Sequence, residues 1–424
     1  MAIHVVSQGD TLWKIAKQYE ANSSEIIRLN GLSDPSRLVV GEALFITLPS
    51  IHIVRQGETL GDISELYGTT VSAISQANGI TNPNSISAGM RLEIPRERPV
   101  TEVNAYTYQP QQEAVKSVNE VGHLLTYVSP FGYKVNEKGE LEPTVQDEET
   151  IKAATAHGAV PMLAITNFTA TEAGSNVAHA FLANAQIRDT LISNIIRLMQ
   201  QKGYRGLNVD FENVLPEDRE NYNTFLQLAV DRLHPLGYFV STALAPKTSS
   251  TQGGVLYEAH DYEAHGRIVD FVVLMTYEWG YRLGPPQAIS PVNLMRKVVE
   301  YAISVMPRNK IFLGFQIYAR DWLIPHERGQ EAETFSPLEA RNRALKYGAN
   351  IQYDTTAQSP FYRYYDEQSR HHEVWFEDTR SALAKFNLAK EFGLRGISYW
   401  ALGYPFPQNW ALLRDQFTIK KLKK

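Results

Sequence analysis

The sequence predicts an α/β protein in which a (β/α)8 barrel follows two small β-α-α-β modules. Three observations predict it. The first hundred residues repeat themselves at an offset of 48, short apolar runs alternate with amphipathic helical patterns from Val100 onward, and two carboxylates close the fourth of those runs. At 424 residues the chain is long enough for one large domain and accessory units. Charged residues make up 21% and hydrophobic ones 43%, the balance of a globular protein, and a net charge of −5 argues against a nucleic-acid binder relying on bulk positive charge. The absence of cysteine excludes disulfides and cysteine metal sites. No signal-peptide pattern and no run of 18 apolar residues is visible, so neither a leader nor a membrane span is expected.

With His4 aligned on His52, the match runs ungapped to Leu44 and Leu92. Identical pairs include Gly9/Gly57, Thr11/Thr59, Leu12/Leu60, Tyr19/Tyr67, Ile26/Ile74, Asn30/Asn78 and Gly41/Gly89. Each unit, at residues 2–49 and 51–96, reads as a strand, a turn at Gln-Gly-Asp/Glu, a helix capped by Thr11 or Thr59, a second helix and a closing strand. A unit this small has no room for a catalytic cleft and no clustered acid or nucleophile, so it reads as a binding module. The copies differ at Trp13, whose counterpart is Gly61. The charged, proline-flanked stretch Pro95-Arg96-Glu97-Arg98-Pro99 predicts a hinge into the second domain, residues 100–424.

Beyond it, the predicted strands are Val103–Tyr108, Leu124–Ser129, Val160–Ile165, Leu207–Glu212, Phe239–Ala245, Phe271–Tyr277, Ile311–Ile317 and Gly396–Ala401. Amphipathic helices such as Ile187–Gln201, Tyr222–His234, Val292–Val305 and Thr379–Phe392 lie between several of them. Eight strands alternating with helices fit a closed barrel better than a doubly wound sheet. An insertion is expected at about 319–376. Its Pro337–Phe376 part holds a helix and two or three short strands, small enough to leave the cleft open. His371-His372 within it has no companion at metal-ligand spacing and reads as a solvated turn; no metal or cofactor is expected.

Barrel enzymes carry their chemistry at the C-terminal ends of the strands. Strand four ends in Asn208-Val209-Asp210-Phe211-Glu212, which puts Asn208, Asp210 and Glu212 on one face. Two carboxylates two residues apart, roughly 7 Å along a strand, repel when buried and leave a protonated acid beside an ionised partner. Acid-catalysed glycoside cleavage needs that pairing, although solvated acids at a strand end would look the same. Aromatic residues recur at the other strand ends, in Met275-Thr276-Tyr277-Glu278-Trp279, Tyr318-Ala319-Arg320-Asp321-Trp322 and Ser398-Tyr399-Trp400. Rings at a barrel mouth supply floors for sugars. Glu212 and Asp210 are therefore the expected acid pair, with Tyr277 among the strand-end aromatics beside them. Asn208, Trp400, Tyr106, Glu278, Trp322 and Asn167 are expected to bind substrate.

Two resemblances extend this reading. The pattern His-x-Val-x-Gln-Gly-Asp/Glu-Thr-Leu, with Asn-Gly-Leu/Ile and a closing Gly-x-x-Leu, resembles the LysM domain, which implies binding to N-acetylglucosamine chains. The second domain resembles glycoside hydrolase family 18, the chitinase-like TIM barrels. Of that family's strand-four pattern Asp-Gly-x-Asp-x-Asp-x-Glu, the chain keeps Gly206, Asp210 and Glu212 but has Arg205 and Asn208 at the other two acids. Met275 and Tyr277 match its strand-six Met-x-Tyr, Trp400 its strand-eight Trp, and Ala164-Ile165-Thr166-Asn167-Phe168 replaces its Ser-x-Gly-Gly. The resemblance implies substrate-assisted, retaining catalysis: Glu212 protonates the glycosidic oxygen, the substrate's acetamido oxygen attacks, Asp210 stabilises the oxazolinium and Tyr277 holds the acetamido group. A neutral Asn208 should lower the tendency of Asp210 to stay protonated, which puts the family's proton relay in question.

Together the parts resemble the spore peptidoglycan N-acetylglucosaminidases of Bacillus-type bacteria, which act in germination on cortex or its fragments. The expected partner is the N-acetylglucosamine-containing glycan strand, with no nucleic acid or membrane, for a monomer at the spore's coat and cortex boundary that is placed there without a signal peptide. A chitinase would be expected to carry an export signal. A sugar-binding barrel or a coat protein would have no need of Glu212.

Overall fold

The computed structural model describes residues 1–168 and 174–422. The first repeat comprises β1 (Ala2–Val5), α1 (Leu12–Tyr19), α2 (Ser23–Asn30) and β2 (Ala43–Ile46); the second comprises β3 (Ile51–Ile53), α3 (Leu60–Tyr67), α4 (Val71–Ala77) and β4 (Arg91–Glu93). In each, the first and last strands pair antiparallel. Thr11 and Thr59 cap the first helices as expected, accepting from Lys14 N–H and Asp62 N–H. The repeated residues do the same work twice. His4 bonds Tyr19 and Asp10, as His52 bonds Tyr67 and Glu58. The Asn30 carboxamide pairs with both backbone groups of Phe45, as that of Asn78 does with Glu93.

Eight parallel strands close the barrel: β5 (Val100–Thr107), β6 (Tyr127–Val135), β8 (Val160–Thr166), β9 (Gly206–Asp210), β10 (Phe239–Leu244), β11 (Phe271–Leu274), β12 (Ile311–Gln316) and β18 (Gly396–Trp400). A short β7 (Leu141–Pro143) hairpins onto β6, and pairing of β5 with both β6 and β18 completes the ring. The second strand begins later than expected because Gly122–Leu124 forms a 3-10 turn. The fourth and sixth end sooner, at Asp210 and Leu274, so Glu212 and Tyr277 stand just beyond the ladder. Inside the ring, Tyr106, Tyr127, Met162, Phe271 and Phe312 pack together, while Leu207, Val209 and Phe211 face the helices.

The hinge expected between repeats and barrel does not free the first repeat. Leu29 and Phe45 join the barrel's hydrophobic core, and Val39 joins that of the insertion. Glu42 and Arg341 form a buried ion pair at 2.6 Å, Ile351 N–H donates to Val40 O at 2.9 Å, and Gln408 donates to Asn30 and to Ala43 O. The second repeat has Ala77 and Glu93 where the first has Leu29 and Phe45, and both are exposed. It shares a hydrophobic cluster with the first and meets it on the surface through the exposed Arg55–Glu20 pair.

The insertion is more regular than the sequence suggested. β13 (Ala319–Ile324), β14 (Glu333–Phe335), β15 (Gln352–Asp354), β16 (Ser359–Tyr365) and β17 (His371–Trp375) form a five-stranded antiparallel sheet, backed by a helix over Pro337–Tyr347. Two of these strands precede Pro337, where none was expected. His371-His372 lies on β17, not in a turn; His372 stacks on Tyr364 and bonds Asp321 and Asp366. Among the described residues no cluster could hold a metal ion, and no helix is long and apolar enough to cross a membrane.

Candidate active site

Asp210 is the last residue of β9. Its neighbours Val209 and Phe211 are fully buried on the helix side, so alternation aims Asp210 into the barrel. It is only 5% exposed, and its Oδ1 has no hydrogen-bond partner among the described residues. Burial, then the charge of Glu212, pushes its pKa well above the usual carboxylate range. Burial is the leading cause of that rise, and the neutral Asn208 beside it adds no charge of its own. Glu212, half-buried just beyond the end of β9, is raised to about 7, first by burial and then by the charge of Glu278. The two acids titrate as a pair, with one proton readily available near neutrality.

Tyr277 follows β11. Its hydroxyl makes no hydrogen bond to a described residue, and burial together with Asp210 keeps it neutral, hence a donor. Gly314 on β12 lets the ring approach; a Cβ there would stand 2.4 Å from Leu274 O and 3.3 Å from the Tyr277 ring. Glu278 has a left-handed backbone, φ 69°, and its carboxylate is gripped by two 2.8 Å bonds from Arg320 and one from the Tyr318 hydroxyl. Trp400 is half-buried. It stacks on Tyr108 at 5.7 Å and meets Phe131 edge-on at 5.1 Å. Tyr108 is 39% exposed and bonds Tyr404, which extends the aromatic wall outward.

The structure brings Asp210, Glu212, Tyr277, Glu278 and Trp400 to one mouth. Four other expected substrate contacts are buried and have no surface for a sugar. Tyr106 donates to Asn208 Oδ1 at 2.9 Å, and Asn208 donates to Ser241 Oγ at 2.9 Å; both are 2% exposed. Trp322, 1% exposed on β13, donates its indole N–H to Gly284 O. Asn167 is fully buried against the backbone of Glu212. Strand alternation assigns a face to each of these residues but not a depth. Tyr108 went unrecognised, although an aromatic at the end of the first strand was the available signal. His260, which bonds Phe211 O, had none.

Paired acids of raised pKa at the C-terminal mouth of a parallel barrel, beside a neutral tyrosine and a ring wall, define a glycoside hydrolase. The chain belongs to the glycosyl hydrolases family 18, whose family model matches residues 133–404, and it carries LysM domains at 4–47 and 52–95. It is 48% identical over 429 residues to a cortical fragment-lytic enzyme of Bacillus subtilis (strain 168), covering 99% of both chains. The cortical fragment-lytic enzyme of Bacillus anthracis is 46% identical, again over 99% of each. Among solved structures, the spore cortex-lytic enzyme SleL of Bacillus megaterium QM B1551 superposes with a TM-score of 0.88 at 38% identity, over 100% of this chain and 99% of that one. The SleL of Bacillus cereus gives 0.88 at 40%, over 99% of both.

Proposed function

We propose that this protein is an N-acetylglucosaminidase that cuts spore cortex peptidoglycan, or fragments of it, on the reducing side of N-acetylglucosamine. The reading rests on one observation, the trio of Glu212 raised to about 7, Asp210 buried with an Oδ1 that bonds no described residue, and Tyr277 held neutral by burial. Near neutrality much of Glu212 carries its proton, the condition for a general acid. It protonates the glycosidic oxygen as the bond to the anomeric carbon breaks. The acetamido oxygen of the same sugar attacks that carbon, so no protein nucleophile is required and carboxyl spacing carries no stereochemical information. Asp210 accepts from the acetamido N–H as charge develops, and Tyr277 donates to the acetamido oxygen. Water then opens the oxazolinium and returns a proton to Glu212, with net retention.

The named cortical fragment-lytic relatives, similar over their whole length, support cortex as the substrate and the spore as the place of action. The two LysM units support retention on glycan strands, with the barrel at 100–424 doing the cutting as a monomer. Muramic-δ-lactam holds its nitrogen in a ring, so its carbonyl cannot reach the anomeric carbon. Cortex fragments should therefore gain N-acetylglucosamine at their new reducing ends. Borohydride reduction followed by mass spectrometry tests this: reduced glucosamine ends are expected, and reduced muramic or muramic-lactam ends would reject both mechanism and specificity.

A further inference from the structure

The acid stands on a piece of chain that the barrel ladder does not hold. The last register partner on β9 is Asp210, opposite Thr166, and Asn213 turns the chain away with φ 52°. Glu212 lies between them. Its N–H donates to Asn167 Oδ1 at 2.9 Å, and its carbonyl accepts from Asn167 Nδ2 at 2.8 Å, so one carboxamide holds both backbone groups. The same Nδ2 reaches Gly174 O at 3.2 Å. Gly174 has φ 73°, and a Cβ there would collide with the Asn167 carbonyl, so only glycine lets the chain close over this amide. One residue earlier, Phe211 O accepts from His260 Nε2 at 2.9 Å, while His260 Nδ1 accepts from Ala245 N–H at 2.8 Å. Burial lowers the pKa of His260 to about 4, so the ring stays neutral with its proton on Nε2.

The chain uses this device elsewhere for stability. Asn30 and Asn78 each pair with both backbone groups of a residue on the last strand of their repeat. At Asn167 the clamped residue is the acid itself. We propose that Asn167 is a positioning residue for Glu212: its carboxamide extends the sheet by one side-chain rung and aims the acid at the glycosidic oxygen, with His260 anchoring the preceding carbonyl. This rests on the reading of Glu212 as the general acid. Because Asn167 is fully buried, it acts through Glu212 and not on the sugar. A displacement of about 1 Å at the reacting group costs on the order of 10²-fold in rate.

The test uses the full-length protein, a soluble cortex fragment, and the variants Asn167→Ala, Asn167→Asp and Glu212→Gln, with thermal unfolding as the check on folding. Asn167→Ala should lower kcat about 10²-fold with KM within about threefold, the split expected for a lost transition-state alignment. Its alkaline pH limb should also move to lower pH, as Glu212, faced by Asp210, Tyr277 and Glu278, swings toward water. Asn167→Asp keeps the acceptor for the Glu212 N–H but loses the donor, and should fall between. A folded Asn167→Ala with kcat within about threefold of wild type, or with its loss confined to KM, overturns the proposal; if the alanine variant does not fold, the same result in Asn167→Asp does so. Activity remaining in Glu212→Gln would instead remove the acid assignment. An inactive Glu212→Gln beside fully active Asn167 variants would remove only the positioning role.

Discussion

Replacing Glu278 with Gln should move the alkaline limb of the enzyme's pH profile toward acid. Glu212 sits at about 7 against an ordinary value of 4.5; burial is the larger cause and the charge of Glu278 the second. Glu278 therefore supplies less than half of that difference, at most about one unit, or roughly 1.4 kcal/mol. The amide also leaves the Arg320 guanidinium without its carboxylate partner, and that positive charge lowers the pKa of Glu212 further. The sign follows from the role of Glu212: it must be protonated to act, so a lower pKa withdraws activity at high pH and leaves the acid side in place. The assay is kcat/KM against pH on a soluble cortex fragment, which reports the free enzyme's groups. A midpoint about one unit lower is expected. A limb that stays put or moves to higher pH would show that Glu278 does not act on the acid, or that another group sets the limb.

Three further outcomes follow from the same geometry. Tyr277→Phe removes a donor whose bond tightens as charge reaches the acetamido oxygen, so kcat should drop about 10²-fold with little change in KM, read by steady-state kinetics. Asp210→Asn should inactivate the enzyme yet stabilise it at neutral pH, because its raised pKa means that folding holds a proton the unfolded chain has released. That gain should be absent below pH 3.8, the ordinary value of the aspartate, and grow above it; melting curves at pH 4 and 8 that show the same difference from wild type would refute this. Glu42→Ala strands the buried Arg341 and should cost about 3 kcal/mol in denaturant unfolding, whereas Arg55→Ala breaks only an exposed pair and should cost under about 1. Equal losses would mean that the first repeat is not part of the catalytic body.

Local pattern carried much of this protein. The 48-residue repeat, the threonine caps, eight apolar strands at barrel spacing and the adjacent Asp210 and Glu212 are all properties of neighbouring residues, and periodicity reports those directly. The tertiary structure decided the rest. Alternation shows which way a side chain faces but not how deep it sits, so Tyr106, Asn208, Asn167 and Trp322 looked like sugar contacts and lie buried. The ionisation of the acids depends on burial and on Glu278, which arrives from the loop after β11 about 65 residues away, and neither is legible in local pattern. The docking of the first repeat is a long-range contact set by Leu29 and Phe45, where the second repeat has Ala77 and Glu93. Those differences are written in the sequence, but they acquire meaning only when the barrel brings Arg341 and Gln408 to meet them, because packing is a property of pairs the chain must first fold to create.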